Sequence, residues 1–266
     1  MTVRSKMGTF VGCIVVTALA AYAATEVTKY GVHDAGRPRP PVVAPPAQVG
    51  QPPSDATVLF NGEDLSQWQK GNGADASWTI VDDDHMIVPP KAGDIRTRKA
   101  FGSCQLHVEW RMPEDVPARV TNQDRSNSGV FLMGRYEVQV LDSYTDDNYA
   151  TNKTYADGQA AAIYGQFPPT VNACRAPGQW QTYDIAFMRP LFDDQGNCVR
   201  KARITLFHNG VCVHSNLEIE GGTAHKAKAK YSPHGEGPIV LQDHGNPICF
   251  RNIWIRELPE EPYLIK

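Results

Sequence analysis

The chain is predicted to form an all-β fold, a sandwich or jelly roll of two antiparallel sheets. Many short segments alternate between apolar and polar residues with a period of two, and Gly, Pro and Asn separate them. The pattern of an amphipathic helix of ten or more residues is not found after the proline-rich region. The Asn-Gly pair at 209–210 lies between two strand-like runs and predicts a tight hairpin. Short strands separated by such turn residues favour stacked antiparallel sheets.

Length and charge limit the number of domains and the kinds of partner. The chain has 266 residues and a formal net charge of −3. Roughly 200 to 250 residues are ordinary for a single β sandwich, so we expect one main domain. The sequence contains no sustained patch of Lys and Arg, which argues against nucleic acid as a partner.

The N-terminus has the pattern of an export signal. Arg4 and Lys6 precede an apolar run over 7–24 that ends in small residues. Residues 1–24 are therefore predicted to be a signal peptide or an uncleaved signal anchor that tethers the protein to a membrane. A lipid-modified Cys13 is a third alternative. Each of these predicts export to the periplasm, to the outside of the cell or to an outward-facing membrane surface.

A proline-rich segment separates this leader from the domain. Residues 37–53 read RPRPPVVAPPAQVGQPP, a composition typical of an extended, semi-rigid linker. The linker is placed at 25–53 and the domain at 54–266. Of the six cysteines, five follow the leader, so one or two disulfides would leave at least one free thiol.

The first strands of the domain are predicted from alternation. The segment 78–88 resembles a hairpin around three aspartates. The segment 105–112 alternates strictly, with His107 and Glu109 on its polar face. That face lines a site if the sheet is concave there, and it meets solvent otherwise.

The segment 136–142, YEVQVLD, is predicted to be a strand that carries functional groups. Glu137 and Gln139 lie two residues apart and therefore share one face. The long connection 143–158 that follows is predicted to shape one rim of a site, because loops of this length are usually functional or mobile.

The segment 237–258 contains the densest group of candidate residues. Two strand-like runs flank a polar corner with Gln242, Asp243 and His244, and Arg251 follows in the second run. The runs are predicted to be paired or neighbouring strands with a functional corner. Alternatively, Asp243 and His244 only satisfy the backbone of a turn, together with Asn246.

Taken together, these motifs resemble the 3-keto-disaccharide hydrolase domain family, whose members are similar to concanavalin A-like jelly rolls. The matching segments span nearly all of 57–258 in family order. They are LFNGEDLSQW (59–68), FGSCQLHVEWR (101–111), NSGVF (127–131), YEVQVLD (136–142), AAIYG (161–165), GQWQTYDI (178–185), HNGVCV (208–213), GPIVLQDHG (237–245) and FRNIWIREL (250–258).

The resemblance implies cleavage of glycosides that carry a ketone at C3 of the sugar. Such a ketone acidifies the proton on C2, so a base can form an enolate that expels the oxygen on C1, and water then adds to the product. His244 is the first candidate for proton transfer, because a histidine pKa lies near neutral. Glu137 and Asp243 compete as bases, and Arg251 is a candidate for holding the enolate oxygen. An oligosaccharide or glycoside is the expected partner.

The remaining candidates are expected to bind substrate. Gln139 and Gln242 would orient sugar hydroxyls, and Tyr164 would either stack on the ring or pack in the core. His107 and Glu109 are weaker candidates. A divalent cation held by the groups Glu137, Asp243 and His244 would stabilise the enolate, although the sequence establishes no cofactor. The rival functions are a lectin-like carbohydrate-binding module without chemistry and a surface-tethered adhesion domain.

Overall fold

The computed structural model describes residues 40–115, 120–147, 149 and 151–260. The predicted leader lies outside these residues. Over the described residues the chain forms strands and one short 3-10 helix at Ala156–Gly158. The strands are β1 (Thr57–Phe60), β2 (Trp68–Lys70), β3 (Thr79–Val81), β4 (His85–Ile87), β5 (Ile95–Thr97), β6 (Cys104–Arg111), β7 (Ser128–Leu132), β8 (Tyr136–Val140), β9 (Gln181–Met188), β10 (Leu191–Phe192), β11 (Cys198–Arg200), β12 (Arg203–His208), β13 (Val211–Glu218), β14 (Val240–Leu241) and β15 (Cys249–Glu257).

Two antiparallel sheets contain almost all of these strands. The larger has eight strands in the order β13-β12-β9-β6-β15-β4-β3, and β1 pairs with β15 as well. The smaller has five strands in the order β2-β5-β14-β7-β8, and β10 pairs with β11 separately. The predicted all-β antiparallel sandwich is confirmed. In the described part of the chain, no helix is long and apolar enough to cross a membrane.

The core lies between the two sheets because each strand turns its apolar residues inward. On β6, Leu106, Val108 and Trp110 are completely buried. From the smaller sheet, Tyr136 of β8 packs against Phe187 of the larger one, with ring centroids 5.6 Å apart. Burial of a large apolar side chain stabilises the fold by about 1.5–3 kcal/mol, so the sandwich depends on this layer.

The two predicted hairpins are present. Strands β12 and β13 pair across a two-residue turn in which Asn209 and Gly210 have φ of 52° and 80°. These positive φ angles are what a type I′ turn requires, and Asn-Gly adopts them at little cost. Strands β3 and β4 pair across a turn in which Asp82 and Asp83 also have positive φ.

The prediction that the two runs of 237–258 pair or neighbour each other is wrong. Strand β14 lies in the five-stranded sheet between β5 and β7, whereas β15 lies in the eight-stranded sheet beside β6. The corner between them therefore crosses from one sheet to the other. Consequently the residues before the corner and those after it belong to opposite layers of the sandwich.

The end of the predicted linker contacts the domain. The carbonyl oxygen of Gly50 accepts hydrogen bonds from Trp254 Nε1 at 2.8 Å and from Asn252 Nδ2 at 2.7 Å. Ala44 and Ser54 exchange two hydrogen bonds. The packed unit runs over 43–260 and thus begins before Ser54.

The five cysteines in the described region are free thiols, so the one or two disulfides that the sequence allowed are not formed among them. Cys104 and Cys249 are buried, Cys174 and Cys198 are half-buried, and Cys212 is exposed.

Candidate active site

The candidate site lies on the outward face of the five-stranded sheet. Along β8, Tyr136 and Val138 point into the core, so Glu137 and Gln139 point to the other face, as predicted. Residues 161–164 run beside this edge strand, with Gln139 N donating to Ala162 O at 3.0 Å. The edge of the sheet is thereby covered, and the two polar side chains are enclosed.

Strand register places four side chains of this face in one row. Arg96 of β5 is paired with Val240 of β14, Val240 with Phe131 of β7, and Phe131 with Glu137 of β8. Directly paired residues share a face of the sheet. Because neighbouring strands lie about 4.8 Å apart, the row spans about 14 Å between the backbones of Arg96 and Glu137.

A pocket of about 360 Å³ opens over the Glu137 end of this row. Five residues predicted from the sequence line it, and four others do so without having been predicted. The predicted ones are Glu137, Gln139, Tyr164, Gln242 and His244, and the others are Asn127, Phe131, Thr223 and His225. The pocket combines one carboxyl group, two imidazoles and several amides with an aromatic floor, which is the make-up of a small-molecule site.

Glu137 is the most unusual group in the pocket. Its side chain is only 5 % exposed, yet its carboxyl group forms no hydrogen bond or ion pair within the described part of the chain. Burial, reinforced by the negative charge of Asp94, raises the pKa of Glu137 to about 8. A carboxyl group with a pKa near neutral can both remove and return a proton at physiological pH. Perturbed groups of this kind concentrate at functional sites.

Gln139 presents one atom to the pocket. Its amide nitrogen donates to Asn127 Oδ1 at 2.8 Å, Ser128 O at 3.1 Å and Val140 O at 2.9 Å. The nitrogen is therefore fully used by the protein. The carbonyl oxygen Oε1 remains as an acceptor for a ligand hydroxyl.

Tyr164 lies at the rim of the pocket rather than in the core. Its hydroxyl group lies 2.6 Å from the hydroxyl of Tyr155 and 3.2 Å from Nδ1 of His225. Burial and the hydrogen bond to Tyr155 raise the pKa of Tyr164. The long loop predicted to form a rim supplies Tyr155, so the chain of three side chains links this loop to the pocket.

Asp243 and His244 are neighbours with different surroundings. Asp243 Oδ2 accepts from Gly93 N at 2.8 Å, Oδ1 accepts from Gly245 N at 2.8 Å, and its own amide donates to Asp94 Oδ1 at 2.9 Å. Both carboxylate oxygens thus hold the corner in shape, the alternative considered from the sequence. His244 is exposed and lines the pocket.

Three predicted site residues lie elsewhere. Arg251, His107 and Glu109 belong to β15 and β6 of the eight-stranded sheet, on the face opposite to the core-facing Leu106 and Val108. They do not line the pocket. The physical reason is the change of sheet between β14 and β15, which separates Arg251 from His244 although only seven positions separate them in sequence.

These three residues form an ionic network instead. Arg251 Nε lies 2.7 Å from Glu109 Oε2, and His107 Nδ1 lies 2.6 Å from Asp184 Oδ1. Burial alone would lower the pKa of His107, but its hydrogen bonds to Asp184 and Glu109 outweigh burial and raise the pKa to about 9. Burial alone would raise the pKa of Glu109, but hydrogen bonds from His107, Asn252 and Arg251 lower the pKa to about 2.

In the described part of the chain, the three candidate metal ligands are not grouped as a cation site. Within the described residues, no group of three His, Cys, Asp or Glu side chains is arranged to hold a metal ion. Asp243 uses both carboxylate oxygens for backbone hydrogen bonds, so Glu137, Asp243 and His244 do not fit a cation as a set. We therefore derive no chemical step through a metal.

The residues missed by the sequence analysis differ in the signals that they leave. Asn127 stands in the segment NSGVF and could have been identified from its position just before β7. Thr223 and His225 lie in an irregular segment between β13 and β14, where no periodicity indicates which side chains face the sheet. Only the Gly-Gly pair that precedes Thr223 marks a turn there.

Comparisons with known proteins agree with this fold. A curated relative from Bacteroides thetaiotaomicron, described as a 3-keto-disaccharide hydrolase, is 23% identical over 239 residues, or 76% of this chain and 78% of that protein. A solved structure from Parabacteroides distasonis, described as a candidate glycosyl hydrolase, is 41% identical with a TM-score of 0.78, covering 86% of this chain and 99% of its own. A second one from that organism has a TM-score of 0.56 at 19% identity, covers 77% of this chain and 94% of its own, and supports the fold alone.

A family model supplies the remaining evidence. The model described as the 3-keto-alpha-glucoside-1,2-lyase-like domain matches residues 55–256, which include both sheets, except for the last residue of β15, and every residue that lines the pocket. The chain therefore belongs to the family of 3-keto-alpha-glucoside-1,2-lyase-like domains.

Proposed function

We propose that the chain cleaves 3-keto-glycosides, with Glu137 as the base that removes the proton on C2. The observation that carries this proposal is the buried, unpaired carboxyl group of Glu137 at the pocket, with a pKa of about 8. The relatives are described as hydrolases of sugars, and the family description names a lyase-like domain for a 3-keto-α-glucoside. A carbohydrate is accordingly the substrate class.

The single carboxyl group supports elimination over direct displacement. Ordinary glycosidases use two carboxyl groups that flank the anomeric carbon. Among the described residues that line this pocket, Glu137 is the one acid. A 3-keto sugar removes the need for a second carboxylate, since its acidified C2 proton needs one base and a donor for the enolate oxygen.

The proposed reaction begins when the carboxylate of Glu137 takes the C2 proton. The electron pair of the C2–H bond passes to the C3 oxygen as an enolate, which Gln242 and His225 stabilise by donating hydrogen bonds. Collapse of the enolate forms the C1–C2 double bond and breaks the bond from C1 to the leaving oxygen. His244 donates a proton to that oxygen.

Hydration then closes the cycle. Water adds to C1 while neutral His244 takes one of its protons, and Glu137 returns a proton to C2. The sum is hydrolysis, and both protein groups regain their starting protonation. If water does not add, the same first half yields an unsaturated ketone and makes the enzyme a lyase.

The test compares matched oxidised and unoxidised disaccharides in deuterated water. We expect cleavage of the 3-keto compound alone, with deuterium at C2 of the released sugar. Equal cleavage of both compounds without label at C2 would indicate displacement at the anomeric carbon. Binding of either sugar without turnover would instead favour the lectin-like module.

We also propose that the domain is exported, because residues 1–24 combine basic residues with an apolar run in the pattern of an export signal. Fractionation of cells with tagged full-length protein tests this, and unprocessed protein in the cytoplasm would contradict it. A divalent cation stays a prediction from the sequence. Activity that survives exhaustive chelation, with no metal found by elemental analysis, would remove it.

A further inference from the structure

A second pocket adjoins the first on the same face of the five-stranded sheet. It measures about 260 Å³ and is lined by Gly71, Asp94, Arg96, Phe131, Gly134 and Val240. Phe131 lines both pockets, so the two lie side by side along the row that runs from Glu137 to Arg96, and together they are called the groove here. Two adjacent pockets suit a ligand of two linked rings better than a single ring.

Arg96 is the unsatisfied group of this second pocket. Within the described residues its guanidinium group forms no hydrogen bond or ion pair, and its Nε atom is buried. A buried donor without a partner costs free energy, and most such groups in folded proteins are paired. A bound ligand that accepts hydrogen bonds from Arg96 would remove this cost.

The other surfaces of the pocket indicate the chemical class of that ligand. Asp94 Oδ1 accepts from the amide of Asp243, which leaves Oδ2 without a partner in the described part of the chain. A carboxylate beside the guanidinium disfavours an anionic ligand and offers an acceptor for hydroxyl groups. Phe131 and Val240, both half-buried, form an apolar floor. An apolar floor with a donor and an acceptor at its edge matches a pyranose ring, which has apolar faces and hydroxyls at its rim.

The opposite end of the groove is less suited to this role. A pocket of about 280 Å³ adjoins Tyr164 there and is also lined by Tyr155 and His225. The hydroxyl groups of Tyr155 and Tyr164 and the Nδ1 atom of His225 are already hydrogen-bonded to one another. A ligand that used these atoms would have to break the bonds between them, whereas the guanidinium group of Arg96 forms none within the described residues.

We propose that the pocket of Arg96 and Asp94 is a second sugar-binding subsite, which holds the leaving-group ring while the 3-keto ring lies over Glu137. This inference rests on the proposed function, because it assigns a ring to each side of the scissile bond. It makes the enzyme selective for disaccharides over glycosides with a small leaving group. The selectivity is measurable as a ratio of kcat/KM values.

The experiment uses a 3-keto-α-glucosyl-glucose disaccharide and methyl 3-keto-α-glucoside as probes. In the wild-type protein kcat/KM is higher for the disaccharide. We expect Arg96→Met to lower the ratio of the two values by about tenfold or more, the usual scale for loss of a hydrogen bond to a charged group. Arg98→Met is the matched control, since Arg98 is two residues further on and is bound to Asp75 and Ser66 O.

Two results would overturn the subsite: an unchanged ratio in Arg96→Met, or an equal fall in Arg98→Met. If Arg96→Met does not fold, Arg96→Lys keeps the charge but loses the planar fork, and the ratio should still fall. If neither probe is turned over, the proposed function fails. Calorimetry with the same two compounds then decides the subsite, because the preference in Kd for the disaccharide must be present in the wild type and shrink in Arg96→Met.

Discussion

A Cβ atom added to Gly129 would lie 2.7 Å from Oε1 of Glu137 on the neighbouring strand and 2.9 Å from Cε2 of Phe131. The carboxyl group of Glu137 therefore occupies the space that a side chain at position 129 would need. A side chain at 129 would force Glu137 or Phe131 to move, so close approach rather than backbone conformation favours glycine there. Because Gly129 has no side chain, the carboxyl group of Glu137, the proposed base, can occupy this position.

We expect Gly129→Ala to lower kcat/KM by about tenfold or more, because it displaces Glu137 and small displacements of a reacting group are costly. Steady-state kinetics with a 3-keto disaccharide measures this. The control is Gly235→Ala, at an exposed glycine whose added Cβ meets no atom within 4 Å. Equal activity of the two variants would contradict the role of position 129.

The buried carboxyl group of Glu137 is expected to be needed for cleavage and to lower the stability of the fold at neutral pH. The pKa of Glu137 is raised to about 8 in the folded protein by burial and by Asp94, whereas the unfolded chain ionises near 4.5. Stability from this group is complete below about pH 4.5 and is lost as the pH rises through 8. Glu137→Gln should therefore abolish cleavage and, relative to wild type, gain a few kcal/mol of unfolding free energy between pH 5 and 8. Urea unfolding of both proteins at pH 5 and pH 8 checks this. If the difference in unfolding free energy between Glu137→Gln and wild type is the same at both pH values, the pKa of Glu137 is not raised by folding.

The pH dependence of activity follows from the same group. If the carboxylate of Glu137 is the base, its ionisation, with a pKa of about 8, contributes a rising limb to the pH profile of kcat/KM, and loss of the proton that His244 donates contributes a falling limb. Asp94→Asn removes the negative charge that helps to raise this pKa, so the rising limb should move to lower pH. A pH–rate profile of both proteins tests the prediction. If the rising limb lies at the same pH in Asp94→Asn as in wild type, the limb belongs to a group other than Glu137.

Asp243 and His244 should respond in opposite ways to substitution. Asp243→Ala removes two hydrogen bonds from the corner and should lower stability by about 1–3 kcal/mol. His244→Ala removes an exposed side chain and should change stability by less than about 0.5 kcal/mol. It should still lower kcat by about a hundredfold, the scale for a positioned proton-transfer group. Thermal unfolding and kinetics of both variants measure these effects. A loss of stability in His244→Ala with normal stability in Asp243→Ala would contradict the prediction.

Local alternation predicted the part of the site that lies within a strand. The period of two places Glu137 and Gln139 on one face whatever the rest of the fold does, and the structure agrees. Arg251 could not be placed this way, because its position depends on which sheet receives β15 after the corner. That choice is made by long-range pairing with β6, β4 and β1, which no local pattern encodes.

Short or irregular segments hid the other site residues. Strand β5 has three residues, too few to show alternation, so Arg96 was not recognised as part of a sheet face. His225 lies in a connection without regular structure, where side-chain direction is set by contacts such as the one to Tyr164. Binding residues that depend on such contacts require coordinates.

The network on the eight-stranded sheet supplies the last prediction, which separates structure from catalysis. His107 stacks on Trp254 with ring centroids 5.4 Å apart and is 2 % exposed. Its pKa is raised to about 9, against about 6.5 in an unfolded chain, because Asp184 and Glu109 outweigh the opposing effect of burial. The charged imidazole thus stabilises the fold fully below about pH 6.5, and this stabilisation is lost as the pH rises through 9.

We expect His107→Gln to lower the unfolding free energy by about 2–3 kcal/mol at pH 6 and by much less at pH 9.5. Its kcat/KM at pH 7.5 should stay within about twofold of wild type, because His107 faces away from the pocket that contains Glu137. Denaturant unfolding at the two pH values and kinetics at one provide the measurement. A hundredfold loss of kcat/KM in a folded His107→Gln protein would contradict this. It would indicate that the outward face of the eight-stranded sheet is part of the active site, which is the sequence-based alternative in which this sheet is concave.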